Sequence, residues 1–229
     1  MFLYRFFADL CPQLNMPFYS IHNQPPNHRQ LPPDIDRGFV LGPLRSFSTE
    51  GFDFPRLQRV GHLLQIRDPR DILVSEYFSL GWIHSDRDWT DADRDHRTRI
   101  RNMSVDDYVI KEDEISKYPL MQRYSPILQL HDQPDVTIVR YEDMVLDFER
   151  WLQPVLQTME LRPTARWQRQ LASKYRDEFL PDSRPGAHKR NVLPGDHRSK
   201  LKPETIALLN RRFEPILSVL GYLPAVAAA

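Results

Sequence analysis

The chain is short of the residues that usually advertise a chemistry. One cysteine, Cys11, occurs in 229 residues, which excludes an internal disulfide framework and any multi-cysteine metal site. Formal net charge is zero, with 31 basic and 31 acidic side chains, which argues against a protein that coats nucleic acid. No apolar run approaches the ~18 residues needed to span a bilayer. The start, MFLYRFFADL, is interrupted by Arg5 and Asp9 and reads as neither a signal peptide nor an anchor. Eight glycines against twenty prolines is an unusual balance, and no internal repeat is visible. These absences point to a soluble protein of a reducing, cytoplasmic compartment. Its length suits one domain over residues 1–229, large enough to bury a core without staples.

What is present is concentrated in HLLQIRDPRDILVSEYFS, residues 62 to 79. His62 to Ile66 is a short apolar run, as expected of a strand covered on both faces. Asp68 then offers an N-cap oxygen, Pro69 suits the first helical position, and Asp71 falls at the third. Ser75 lies one turn beyond Asp71 on the same helix face. A helix N-terminus at the carboxyl end of a parallel strand is an anion site in open α/β sheets. Two readings stay open on these residues alone. Arg67 and Ser75 grip one bound anion, or Arg67 pairs with Asp68 or Asp71 in ordinary capping of a core helix.

Further elements follow from periodicity. Residues 2 to 10 carry a helical apolar stripe. Gly38 to Leu41 and Val136 to Val139 read as strands. Helices are predicted at 104 to 115, opened by Ser104 and Asp107, and at 119 to 131, 147 to 160, 164 to 177 and 203 to 220. Residues 22 to 36 form a Pro-rich loop suited to a substrate lid. Residues 84 to 102 alternate acids and arginines and read as a solvated surface segment rather than a calcium loop. Strands separated by helical segments predict an α/β fold, a mostly parallel sheet flanked by helices.

Two more fragments carry chemistry. Between Arg184 and Lys202 stand six basic residues against one acid, Asp196, in a loop marked by Gly186, Pro194 and Gly195. In a chain of zero net charge, that concentration suggests an anionic ligand. Arg140-Tyr141-Glu142-Asp143 follows a strand end, where ligands of α/β proteins collect. Tyr141 there either contacts a base or simply packs.

Together these fragments resemble the sulfotransferase family, whose cofactor is 3′-phosphoadenosine-5′-phosphosulfate. Arg67 through Ser75 resembles its 3′-phosphate motif, an arginine closing a strand and a serine eight positions on. Tyr141-Glu142-Asp143 resembles its later Tyr-Glu-Asp turn. Arg190 to Arg198, followed by Leu201-Lys202-Pro203-Glu204, resembles its C-terminal basic loop and helix. The resemblance covers roughly residues 1 to 222. It implies a P-loop-transferase-like fold, with Arg67, Ser75, Tyr141 and Arg190 binding the cofactor. It also implies sulfuryl transfer to a hydroxyl or amine of a small-molecule, sugar or lipid acceptor, with no metal, no nucleic acid and no membrane span.

Two departures bear on the chemistry. The family's first strand and phosphate-cradling loop, of the Pro-Lys-Ser-Gly-Thr-Thr type, are not found. Met1 falls where that loop should hand over to the first helix, so the native chain is expected to extend upstream. The histidine that many members use as base is also not found near Gly42 to Ser46. His22 is the weak candidate for that role, beside the loop carboxylates Glu50 and Asp53. The competing expectations are a P-loop-type kinase and a truncated, catalytically weak nucleotide-binding protein.

Overall fold

The computed structural model describes residues 2–20, 38–43, 61–83, 89–176 and 192–223. Two parallel strand pairs organise it. Strand β1 (Phe18–Tyr19) pairs with β2 (Val40–Leu41), and β3 (His62–Ile66) pairs with β4 (Val136–Arg140). In the second pair His62 stands opposite Val136 and Ile66 opposite Arg140. Arg67 and Tyr141 therefore leave the sheet side by side at its carboxyl end. The expected α/β, parallel architecture is the one observed; only β1 was not anticipated, being two residues long.

Helix α1 (Phe2–Gln13) precedes the sheet, and α2 (Pro69–Phe78) leaves β3 and runs into a π-helical turn, Ser79–Ile83. Then come α3 (Asp91–Arg101), α4 (Val105–Ile110), α5 (Glu112–Ile115) and α6 (Leu120–Leu130), which leads to β4. After β4 follow α7 (Tyr141–Leu146), α8 (Phe148–Thr158), α9 (Ala165–Arg176), α10 (Asp196–Lys200), α11 (Pro203–Arg212) and α12 (Glu214–Val219). No described helix is long and apolar enough to cross a membrane.

The β3–β4 pair separates two cores, and alternation along the strands divides their residues between them. Leu63 and Val139 join Phe6, Leu10, Trp151, Val155 and Leu171 from α1, α8 and α9. Phe6 meets Trp151 edge-on with centroids 5.3 Å apart. Cys11 is buried in this core, and burial pushes its thiol up to about 11. It is a protonated packing residue rather than a nucleophile. Ile66 and Ile138 instead face Leu73, Tyr108, Leu120, Leu209 and Phe213 from α2, α4, α6 and the C-terminal segment.

Several elements differ from expectation: α10 lies within the segment 184 to 202, which the sequence predicts as a loop, and α7 opens at Tyr141, where a turn is predicted. The charged segment at 84 to 102 contains a helix, α3, because Thr90 and Asp93 form a reciprocal capping box. One face of α3 is buried through Ile100 and Arg97. Arg97 lies over the Trp89 ring at 3.9 Å and donates to the Leu80 carbonyl at 3.0 Å. The helix predicted from Ser104 breaks at Lys111 into α4 and α5. The helix predicted at 203 to 220 breaks at Phe213, just ahead of Pro215. The Pro-rich segment at 22 to 36, His22, Glu50, Asp53, Met1 and the basic residues Arg184 to Arg190 lie outside the described residues.

Candidate functional site

The start of α2 is built as its sequence dictates. Asp68 caps the helix by accepting from the Arg70 N–H at 2.9 Å, with Pro69 in the first turn. The Arg70 side chain folds back on the same carboxylate through Nε at 2.9 Å and Nη2 at 2.6 Å, and its Nη1 donates to Asn210 at 2.6 Å. The Asp68 N–H donates to Glu142 Oε1 at 2.9 Å, while Glu142 Oε2 accepts from the Tyr222 hydroxyl at 2.8 Å. Glu142 thus ties the end of β4 to the end of β3. Residue 141 opens α7 directly, so the Tyr-Glu-Asp turn is the first turn of a helix.

Asp68 is taken by Arg70 and Asp71 points elsewhere, so Arg67 is paired with neither of the carboxylates that simple capping would give it. Its guanidinium lies over the Tyr141 ring, 4.4 Å from the centroid. Its carbonyl accepts from the Tyr124 hydroxyl. Its Nε is buried with no hydrogen-bond partner among the described residues. Burial holds the Tyr141 phenol above its ordinary range, and the Arg67 cation offsets this only in part. The phenol therefore stays protonated and donates to the Val192 carbonyl at 2.7 Å. A cavity of about 270 Å³ opens here, with Arg67, Tyr141, Tyr124 and Arg123 in its wall.

Asp71 joins this sheet end to the C-terminal segment. It is 1% exposed. Its Oδ2 accepts from the Gly195 N–H at 2.6 Å, and its Oδ1 accepts from the His197 N–H at 3.0 Å and sits 2.6 Å from His197 Nδ1. Burial alone would raise the Asp71 carboxyl, but the hydrogen bonds from His197 and Gly195 outweigh it and hold the group below the usual carboxylate range. Gly195 has φ of 88°, a left-handed conformation that suits glycine. Asp71 and Tyr141 together fix both ends of Val192–His197, which lies within the basic segment of residues 184–202.

The predicted site residues fall into three groups. Arg67 and Tyr141 are in contact. Ser75 lies half-buried one turn beyond Asp71 on α2 and is not among the residues lining the cavity. Arg190 lies outside the described residues, two positions before Val192, as does His22. Sequence reasoning missed Asp71, Glu142, Tyr124 and Arg123. Asp71 and Glu142 stood inside quoted motifs, yet their partners lie 124 and 74 positions away. Tyr124 and Arg123 sit within a helix and carry no local signature.

No protein-family model matches the chain, and no curated protein matches it by sequence. Solved structures do. Mouse sulfotransferase SULT7A1 complexed with PAP superposes with a TM-score of 0.56 at 12% identity, covering 78% of this chain and 66% of that one. The chain has the sulfotransferase fold. Retinol dehydratase, in complex with androsterone and inactive cofactor PAP, also matches, with a TM-score of 0.52 and 14% identity over 82% of this chain and 55% of that one. The chain thus spans less than two thirds of the length of either protein. At such identities the likeness is one of backbone, and the parallel β3–β4 pair with its flanking helices belongs to that fold.

Proposed function

We propose that this protein binds 3′-phosphoadenosine-5′-phosphosulfate and that a sulfuryl group passes to a hydroxyl or amine of a small-molecule, sugar or lipid acceptor. One observation carries the reading. At the carboxyl end of the sheet, the Arg67 guanidinium, whose buried Nε has no hydrogen-bond partner among the described residues, lies over Tyr141, and the Tyr141 hydroxyl donates to Val192 within the chain's basic segment.

The donor set fits the nucleotide's 3′-phosphate. Arg67 is permanently charged and presents a planar fork suited to phosphate oxygens. Asp68 is engaged by Arg70 and Asp71 by Gly195 and His197, so neither of these carboxylates neutralises the Arg67 charge. Ser75 adds a hydroxyl on the adjoining helix, and Arg190 stands two positions before the Val192–His197 segment that Asp71 and Tyr141 anchor. The nucleotide supplies the sulfuryl group; these residues bind and orient it. Such transfers rest on positioning and charge stabilisation rather than on covalent work by the protein. No described residue is assigned as the base, and His22 stays a proposal for that role.

The test is calorimetric titration with 3′,5′-adenosine bisphosphate (PAP) and, separately, with ATP plus magnesium. Saturable binding of PAP with weaker or no binding of ATP is expected. Preference for ATP with magnesium would replace this reading with a P-loop kinase.

A further inference from the structure

Helix α6 starts at Leu120 behind Pro119, whose side chain caps nothing. The first N–H of a helix has no partner inside the helix and needs an acceptor from elsewhere. Here it comes from Glu112, eight positions upstream, whose Oε1 accepts from the Leu120 N–H at 2.7 Å. Glu112 opens the four-residue helix α5 and is 0% exposed. Its Oε2 accepts from Arg212 Nη2 at 3.2 Å, and Arg123 Nη2 lies 3.9 Å from Oε1. A buried carboxylate adds little net stability even when well paired. What Glu112 supplies is a fixed junction between α6 and α11.

Both helices lead from that junction to one place. Along α6, Tyr124 stands one turn beyond Leu120, and its hydroxyl donates to the Arg67 carbonyl. Along α11, Asn210 stands two positions before Arg212 and accepts from Arg70 Nη1 at 2.6 Å. Arg70 in turn grips Asp68 through Nε at 2.9 Å and Nη2 at 2.6 Å. Arg67 and Asp68 are consecutive and lead from β3 into α2. Two arms therefore run from Glu112, one through Tyr124 and one through Arg212, Asn210 and Arg70, and they close on neighbouring residues. Arg212 is locked in place by further contacts, from Nη1 to the Ile110 carbonyl at 3.1 Å and from Nη2 to Asp113. Glu112 itself is not among the residues lining the cavity, so it reaches a ligand only through these arms.

We propose that Glu112 is a positioning residue for the nucleotide. It holds α6 and α11 at the separation that fixes the Arg67–Asp68 turn, and so sets the direction in which the Arg67 guanidinium meets the 3′-phosphate. This role rests on the function proposed above and adds to it a residue that touches no ligand. A change at Glu112 is then felt as a loss of phosphate discrimination and not only as a loss of stability.

Calorimetry with PAP and with 5′-AMP, which differ only in the 3′-phosphate, gives the preference of each variant, and thermal melts give its stability. In Glu112→Gln the amide oxygen serves Leu120 or Arg212 but not both, and the preference for PAP falls about five- to tenfold. Arg212→Lys keeps a cation beside Glu112 but loses the fork, so the preference falls in the same direction by a smaller factor. It carries the test if Glu112→Gln does not fold. Adding Tyr124→Phe to whichever of the two folds reduces the preference by less than the product of the single losses, because both changes act on one carbonyl. Trp151→Ala is the control: Trp151 lies in the core on the other face of the sheet, so this variant loses stability and keeps the wild-type preference. The proposal is overturned if the folded variants at Glu112 and Arg212 keep the wild-type preference, if Trp151→Ala loses as much of it, or if the losses in the double variant simply multiply. Equal affinities of the wild type for PAP and 5′-AMP sink the nucleotide reading and this role with it. A clear wild-type preference that the Glu112 and Arg212 variants leave intact sinks this role alone.

Discussion

Replacing Asp71 by asparagine keeps the shape of the side chain and removes its charge. In the native protein the carboxylate accepts from two main-chain N–H groups, those of Gly195 and His197, and lies against His197 Nδ1, all while 1% exposed. In Asp71→Asn one of the two oxygens becomes an NH2 donor facing another donor. The change removes a charge-assisted bond, about 1.5–3 kcal/mol, and strands a buried N–H at about 1–3 kcal/mol. A net loss of about 3 kcal/mol is expected, which for a chain of this size lowers Tm by roughly 6–12 °C. Val192–His197 also loses its anchor on α2, so PAP affinity falls at least about tenfold although Arg67 and Tyr141 are untouched.

The dependence on pH follows from the depressed Asp71 pKa. A carboxylate held below its unfolded value of about 3.9 contributes stability above that pH and loses it as pH falls through the folded value. The gap between wild type and Asp71→Asn is therefore full at pH 7 and closes in acid. Thermal melts across pH and calorimetry at pH 7 check both parts. A variant that melts within about 1 °C of wild type at pH 7 and binds PAP equally would refute the role given to this carboxylate.

Other variants probe separate parts of the account. Trp151→Ala, at a core side chain 1% exposed, should cost about 3–5 kcal/mol in urea unfolding. Gly195→Ala has open space for its methyl group, so only the φ of 88° opposes it; a loss of about 1 kcal/mol is expected from the same assay. Tyr124→Phe strips the hydroxyl from the Arg67 carbonyl and should cost about 1–2 kcal/mol, with a small loss of PAP affinity by calorimetry.

Much of the frame could be read from local pattern. Asp68 and Pro69 announce the start of α2, and the apolar runs at 62 to 66 and 136 to 139 announce β3 and β4, because capping and burial act between near neighbours. The helix at 91 to 101 was harder. Its interior carries a single apolar residue that faces the core, Ile100, and only the Thr90–Asp93 pair marks its start. The site was legible in part. Arg67 and Tyr141 stand where strand ends predict, but the partners that position them do not. Asp71 reads locally as a first-turn acid that favours the helix dipole. Its work of holding Gly195 and His197 is a long-range pairing that no spacing reveals. The same holds for Tyr141, whose hydroxyl is committed to Val192 rather than standing free for a base.

The central claim is that Arg67 reads a 3′-phosphate. Its most direct test compares the affinities of PAP and 5′-AMP, which differ only in that phosphate, for the wild-type chain and for Arg67→Ala. A charge-assisted bond of about 1.5–3 kcal/mol predicts that wild type prefers PAP by roughly 10- to 150-fold and that Arg67→Ala erases most of the preference without unfolding. Equal affinities for the two nucleotides in the wild type, or an undiminished preference in Arg67→Ala, would contradict it.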